Sequence, residues 1–389
     1  MNTETMLGRE NFYAVLFETI ENYFRTVHNL DLKVSNKKEK NCTKLYVYFL
    51  PLFCSSFPMS SGAKEFLYSE YNIRGNLLKY IVGKIGVFVI VHSYGIGAKK
   101  RFYINSTKEI VKSIFIAPCN RTIRFYNFKE NYVDCMAKAG YNHDFMDNQL
   151  FVRKQYSYEF IPKVLKKGGN WYREEIMHGN ALARVRDEDL YKQSSATAIE
   201  YMRKFVADTM QRISALQYYS QLKNELQNIL LQLGGDIEND ICEMYMSYVE
   251  KQMELFEKTD LDIQLCMSHG DLQEGNVWIN INGSVTIYDW ETAKMRSIWY
   301  DPITFFFRMH SGMDHSKLRA IISRDKRYRV FDQKNGDYSD AELDLISNIV
   351  ILEDILFNLN EALQLNHDFI VKRIREVSEY FEIIMKSEV

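Results

Sequence analysis

Residues 9–28 carry Phe12, Val15, Leu16, Ile20, Tyr23, Phe24 and Val27 at helical spacing, which predicts an amphipathic core helix. A polar, Lys-rich stretch at Asn36–Asn41 reads as a loop. Leu45–Leu50 and Gly86–Val91 are short and rich in β-branched or aromatic residues, so they read as buried strands, with a turn at Ser60–Gly62 and mixed helix over Ala63–Gly83 between them. From Ile110 the pattern changes to short strands with tight connections. Val111–Ala117, Ile123–Phe128 and Tyr132–Lys138 form an expected antiparallel meander, punctuated by Pro118–Arg121 and Lys129–Asn131. A polar helix is expected at about 144–156, then a strand at Phe160–Leu165, whose Pro162 suits an edge, and another at Trp171–Met177.

Beyond Gly179 the periodicity is mainly helical, over 187–232 with a break inside, 236–259, 341–363 and 367–386. The exception is 263–293, which reads as short strands and loops. Three segments follow: an α/β module over 1–108 whose role is not legible, a small sheet-rich lobe over 109–178, and a helical lobe over 179–389.

Composition narrows the class. The 389 residues are 46 % hydrophobic and 26 % charged, as in globular proteins, and the net charge of −2 makes a general nucleic-acid partner unlikely. Six cysteines without C-x-x-C spacing read as reduced, mostly buried thiols. The opening MNTETMLGRENF does not look like a secretory signal, and no apolar run approaches the roughly 20 residues of a bilayer-spanning helix. A cytoplasmic protein is the default expectation. Peripheral membrane contact stays open, and the Lys runs at 37–40 and 163–167 read as solvated surface.

The chemistry concentrates in Ser268-His269-Gly270-Asp271-Leu272-Gln273-Glu274-Gly275-Asn276 and, thirteen residues on, Asp289-Trp290-Glu291. Divalent cations that accompany a nucleotide want hard oxygen ligands, and an acceptor hydroxyl needs a carboxylate to orient it and take its proton. Asp271 and Asn276 share one glycine-containing loop, and a hairpin turning at Asn280–Ser284 returns the chain to Asp289.

The order His269-x-Asp271-x-x-x-x-Asn276, then Asp289-Trp290-Glu291, resembles the catalytic and metal motifs of the aminoglycoside phosphotransferase and choline kinase-like family. The resemblance covers roughly 110–310 and implies an α+β, bilobal protein-kinase-like fold with ATP and Mg²⁺ as cofactors. By it, Asp271 is the catalytic base, Asn276 and Asp289 bind Mg²⁺, His269 shapes the loop, and Asp301 in Tyr300-Asp301-Pro302 is a structural anchor. Lys138 resembles the strand-three lysine that meets the phosphates, with Lys112 a weaker rival. Asn120, Arg121 and Thr122 stand where a glycine-rich phosphate loop is expected, without its glycines. Gln149 stands where a glutamate normally pairs with the lysine, Asp147 being a possible substitute, and Glu175, Ile176 and Met177 resemble the hinge that faces adenine. Gly95-x-Gly97 reads as an ordinary turn.

The reading is an ATP-dependent kinase acting on a hydroxyl of a small molecule: a sugar, an aminoglycoside-like compound, an amino alcohol or a glycan precursor. Landmarks of protein kinases such as D-F-G and A-P-E are missing. The alternative is a weak or inactive nucleotide-binding scaffold acting through residues 1–108, in envelope or polysaccharide assembly. Oligomeric state and ATP-versus-GTP preference are not legible.

Overall fold

The computed structural model describes residues 10–363 apart from 50, 73, 310–317 and 335–336, together with residues 371, 374, 375 and 378. The helix expected over 367–386 lies largely outside the described residues. The chain divides into two compact units, Met1–Ala198 with Glu274–Glu291, and Ile199–Gln273 with Thr292–Val389.

The first unit opens with α1 (Phe12–His28), followed by β1 (Val34–Ser35), β2 (Thr43–Phe49) and β3 (Leu52–Ser55). Helices α2 (Ser61–Glu70) and α3 (Leu77–His92), strand β4 (Lys100–Ile104) and the short α4 (Glu109–Ser113) come next. Strands β5 (Phe115–Pro118), β6 (Thr122–Asn127) and β7 (Tyr132–Ala137) lead into α5 (Asp144–Gln155), then β8 (Lys166–Lys167), β9 (Trp171–Glu175) and β10 (Gly179–Ala181). Among the described residues, nine strands form one sheet in the order β1-β4-β2-β3-β5-β6-β7-β9-β8. Its last five strands with α5 supply the antiparallel sheet and single helix expected of the small lobe.

Three expectations change here. The boundary near residue 108 does not separate two cores: β3 pairs with β5 (Cys54↔Ile116, Ser55↔Phe115), so the N-terminal strands extend the small lobe's sheet. Gly86–Val91 is helical, not a strand. Its apolar run continues a helix that starts at Asn76, whose side chain accepts from the Lys79 N–H at 2.9 Å. Phe160–Leu165 is irregular, because its carbonyls are used elsewhere: Phe160 O accepts from Ile287 N at 2.8 Å and Pro162 O from Arg153 Nε at 2.6 Å.

Strand alternation sorts side chains onto the two faces of this sheet. On one face Leu16, Ile20, Tyr23 and Phe24 of α1 pack with Val47, Ile116, Phe125 and Met136. On the other, Val133, Cys135 and Ala137 of β7 meet Phe145 and Met146 of α5, with Leu67 and Val87 from α2 and α3.

The second unit takes up part of α6 (Glu188–Thr209), then β11 (Gln211–Ser214), α7 (Ala215–Leu233), α8 (Asn239–Glu257) and β12 (Asp262–Ser268). The chain returns to the first unit for β13 (Val277–Asn280) and β14 (Val285–Ile287), which with β10 make a three-stranded sheet. It then supplies the second unit with β15 (Lys294–Ser297), α9 (Tyr300–Phe307), α10 (Leu318–Arg324) and α11 (Asp340–Ala362). Strands β11, β12 and β15 form the second unit's sheet, against helices whose contact faces are apolar (Tyr219, Leu222 and Leu226; Tyr248 and Phe256).

Candidate active site

Within the first unit, a cavity of about 430 Å³ opens beneath β5–β7. Ala117, Cys119, Arg124 and Val133 line it from the sheet, Glu175 and Met177 from the exit of β9, and Trp278 and Tyr288 from the β13–β14 sheet. The expected hinge residues Glu175 and Met177 therefore face this cavity. Ile176 between them is buried, its N–H directed to Asn131 O at 3.5 Å.

The cations that line this cavity, Arg124 and Arg184, are not the one expected. Lys138 is buried and ion-paired to Glu10 at 2.7 Å, and it is not among the lining residues. Counting back by twos along β7 shows why: Asp134 and Met136 lie on the α1 face, and Cys135 lies on the face toward α5 and the cavity. Across the ladder from Cys135 stands Arg124 of β6. The Arg124 Nε is buried without a hydrogen-bond partner, and its guanidinium lies 5.7 Å from the Tyr288 ring centroid. Burial pushes the Cys135 thiol well up, with Glu174 adding to the shift, so Cys135 is a neutral thiol at pH 7. Lys112 lies on α4, exposed.

The β5–β6 connection is a tight turn closed by Cys119 N donating to Thr122 O at 2.9 Å. None of its residues has positive φ, so it forms without the expected glycines. Asn120 Oδ1 is buried without a partner, and Thr122 opens β6 opposite Ala137. Arg121 leaves the turn toward Glu291, at 3.6 Å, and lies over the Phe145 ring. On α5, Asn148 Nδ2 donates to Glu291 O at 2.9 Å. Gln149 donates to the Tyr172 hydroxyl at 2.6 Å, and Asp147 is exposed on the helix.

Asn276 and Asp289 leave the same end of one hairpin. The register pairs Val277 with Ile287, and Tyr288 N donates to Asn276 O at 3.1 Å. The Tyr288 hydroxyl fixes the loop further by donating to Gly275 O at 2.7 Å. Asp289 has φ +71°, a left-handed conformation that Asp tolerates better than most residues, and the buried Trp290 secures the turn by donating to Ile287 O at 2.8 Å. Burial raises the Cys119 thiol, with Arg124 and Lys138 opposing and Asp289 and Glu291 reinforcing the shift, so both signs of charge gather near this turn. A carboxylate and an amide oxygen from one hairpin end are hard donors that fit Mg²⁺. Among the described residues no three His, Cys, Asp or Glu side chains converge as a metal cluster. An Asp–Asn pair completed by phosphate oxygens does not require one.

In the second unit the loop after β12 is held by Asp301, at the start of α9. This buried carboxylate accepts from Ser268 Oγ at 2.8 Å, His269 N at 2.7 Å and Gly270 N at 2.9 Å. Gly270 has φ +84°, and a Cβ there would meet Thr292 O at 2.5 Å. The buried His269 accepts from Asp271 N through Nδ1 at 3.3 Å and, through its carbonyl, from Thr292 Oγ1 at 3.1 Å. Gln273 Nε2 donates to both Asp271 carboxylate oxygens, at 3.1 and 3.0 Å. Sequence reasoning singled out Arg121, Asp271, Asn276, Asp289 and Asp301; it missed Arg124, which only strand pairing brings into view, and Asn148, which reaches Glu291 from α5.

The chain is similar to choline kinases and aminoglycoside phosphotransferases of known structure. The choline kinase LicA from Streptococcus pneumoniae is 11 % identical, covering 68 % of this chain and 90 % of its own, at a TM-score of 0.44. The aminoglycoside phosphotransferase APH(4)-Ia is 13 % identical, with 69 % and 93 % covered and a TM-score of 0.42. The choline kinase from Cryptosporidium parvum Iowa II is 10 % identical, with 70 % and 87 % covered and a TM-score of 0.37. No protein-family model and no curated protein sequence matches the chain.

Proposed function

We propose that this chain is an ATP-dependent phosphotransferase that moves the γ-phosphoryl group to a hydroxyl of a small molecule. The observation that carries the reading is the shared hairpin end of Asn276 and Asp289, with the β13–β14 strands also walling the cavity through Trp278 and Tyr288. Adenine fits between that wall and the β9 exit at Glu175–Met177, where backbone groups recognise its edge. Asn276 and Asp289 hold Mg²⁺, which when bound offsets charge on the phosphates. Asp271 orients the acceptor hydroxyl and takes its proton. Arg124 and Arg121 supply the cavity and its turn with positive charge, while Lys138 stays with Glu10. A sugar, an amino alcohol or a glycan precursor is the acceptor class, by the family resemblance of the motifs.

The test is a transfer assay with Mg-ATP, and in parallel Mg-GTP, over choline, ethanolamine, aminoglycosides and sugars, reading phosphorylated product by mass spectrometry. Acceptor-dependent product in the wild type, and none in Asp271→Ala, is the expected outcome. Failure of the chain to bind either nucleotide sinks the proposal.

A second reading, a nucleotide-binding scaffold with little turnover, draws on two observations. Cys135, not a cation, stands opposite Arg124 on β7, and Gln149 is engaged by Tyr172. Nucleotide binding without product from any acceptor favours it.

A further inference from the structure

Helix α3 is apolar on both sides, and only one side is covered. Its inner side packs Val87 and Val91 into the core beneath β2 and β3. At 100° per residue, Leu77, Phe88, Ile81, Ile85, Leu78, Val89 and Val82 fill a continuous outer arc of about 140°. All seven are exposed, from 42 % for Val89 to 71 % for Leu78, and Tyr94 and Ile96 just beyond the helix are each 64 % exposed. Scattered exposed apolar residues are ordinary, but a contiguous stripe of this size marks an interaction surface.

The charges around the stripe identify what it meets. Between Asn76 and Arg101 there are five Lys and Arg residues, Lys79, Lys84, Lys99, Lys100 and Arg101, and no Asp or Glu, with His92 at the end of the stripe itself. Lys79, Lys99 and Arg101 are exposed, whereas Lys84 donates to Tyr68 O and Lys100 lies over the Tyr13 ring. An apolar stripe bordered by cations with no anion in the segment is complementary to a surface that is negative outside and apolar beneath. The helix has 16 residues, about 24 Å at 1.5 Å per residue, and lies short of the roughly 30 Å hydrocarbon layer. No helix among the described residues is long and apolar enough to cross a membrane.

We infer that α3 is a membrane-docking helix: its outer stripe lies in the headgroup–acyl boundary of a bilayer containing anionic lipid, with Lys79, Lys99 and Arg101 at the phosphates. This inference does not depend on the proposed phosphotransfer.

The test uses the full chain in a flotation assay with vesicles of phosphatidylcholine alone and of phosphatidylcholine with phosphatidylglycerol. The wild type should float with the anionic vesicles and much less with the neutral ones. Ile81→Gln with Ile85→Gln should weaken partitioning by about tenfold or more, since two apolar side chains leave the interface. Lys79→Gln with Lys99→Gln should reduce it and lessen its salt sensitivity. Both variants alter exposed side chains, and circular dichroism with an unchanged melting temperature checks that they fold. Failure of the wild type to float with anionic vesicles overturns the inference, and so does unchanged flotation of the Ile81/Ile85 variant. It is also overturned if light scattering shows a wild-type dimer that this variant dissociates, because a second copy then covers the stripe.

Discussion

Arg124 on β6 stands directly across the ladder from Cys135 on β7, so one of the two arginines lining the cavity comes from the neighbouring strand, the other being Arg184, which is paired with Glu70. An arginine remains charged in any protein environment, and here its buried Nε has no protein partner. Such a group is stabilised when an anionic or carbonyl-bearing ligand reaches it. Arg124→Met should therefore weaken Mg-ATP binding by about ten- to a hundredfold, the range set by the roughly 1.5–3 kcal/mol of a charge-assisted hydrogen bond. The unliganded melting temperature should hold or rise, since a desolvated charge has been removed. Calorimetric titration and thermal unfolding read the two effects separately. Unchanged affinity would place the nucleotide elsewhere.

Asp301 organises the loop that carries Asp271 without being a proposed contact of substrate. Its carboxylate accepts from one hydroxyl and two backbone N–H groups, all buried. In Asp301→Asn the amide's NH₂ would face donors, leaving at least one buried N–H unmet. We expect a loss of about 2–4 kcal/mol in stability, measured by denaturant unfolding, and a fall in turnover that exceeds any change in nucleotide affinity. Asp271→Asn, which keeps the size and an acceptor oxygen of the side chain to which Gln273 donates, should instead unfold like wild type while losing about 10²–10⁴ in turnover.

What the sequence disclosed follows from how local each feature is. His269 and Asp271 share one loop, and Asn276 and Asp289 flank one short hairpin, so spacing alone points to each of these two pairs. Helix α1 and strand β7 were legible because their apolar periods are plain. The Arg124–Cys135 pairing depends on register between strands, and the Lys138–Glu10 ion pair joins residues 128 apart, so neither leaves a local mark. The β3–β5 pairing likewise leaves no local mark, so the sequence suggests a boundary near residue 108 where the sheet runs on. Part of helix α3 resembles a strand in sequence because its Val and Ile residues favour strands intrinsically, and a helix exposing an apolar stripe lacks the polar side that usually reveals the 3.6 period.

Asp289 separates backbone from charge. At φ +71° an Asn is tolerated nearly as well as Asp, whereas Ala pays the left-handed penalty. Asp289→Asn should melt like wild type and lose the Mg²⁺-dependent part of nucleotide binding. Asp289→Ala should lose the same binding and about 1 kcal/mol of stability besides. Titration of nucleotide with and without Mg²⁺, beside thermal melts of both variants, checks this. Equal Mg²⁺ dependence in wild type and Asp289→Asn would remove Asp289 from the metal.

Lys138 and Glu10 test whether the buried pair is structural. Both side chains are almost completely buried, at 2 % and 6 % exposure, and 2.7 Å apart. Removing one partner strands the other charge, so Lys138→Met or Glu10→Gln alone should cost about 3–5 kcal/mol. The double variant leaves no orphan charge and should recover much of that loss, a coupling that a double-mutant cycle in urea measures directly. A lysine serving the phosphates would behave differently. Lys138→Met would then lower nucleotide affinity by an amount that Glu10→Gln does not reproduce and the double variant does not restore. Coupled losses in stability, with nucleotide affinity conserved in the folded double variant, are the expected pattern.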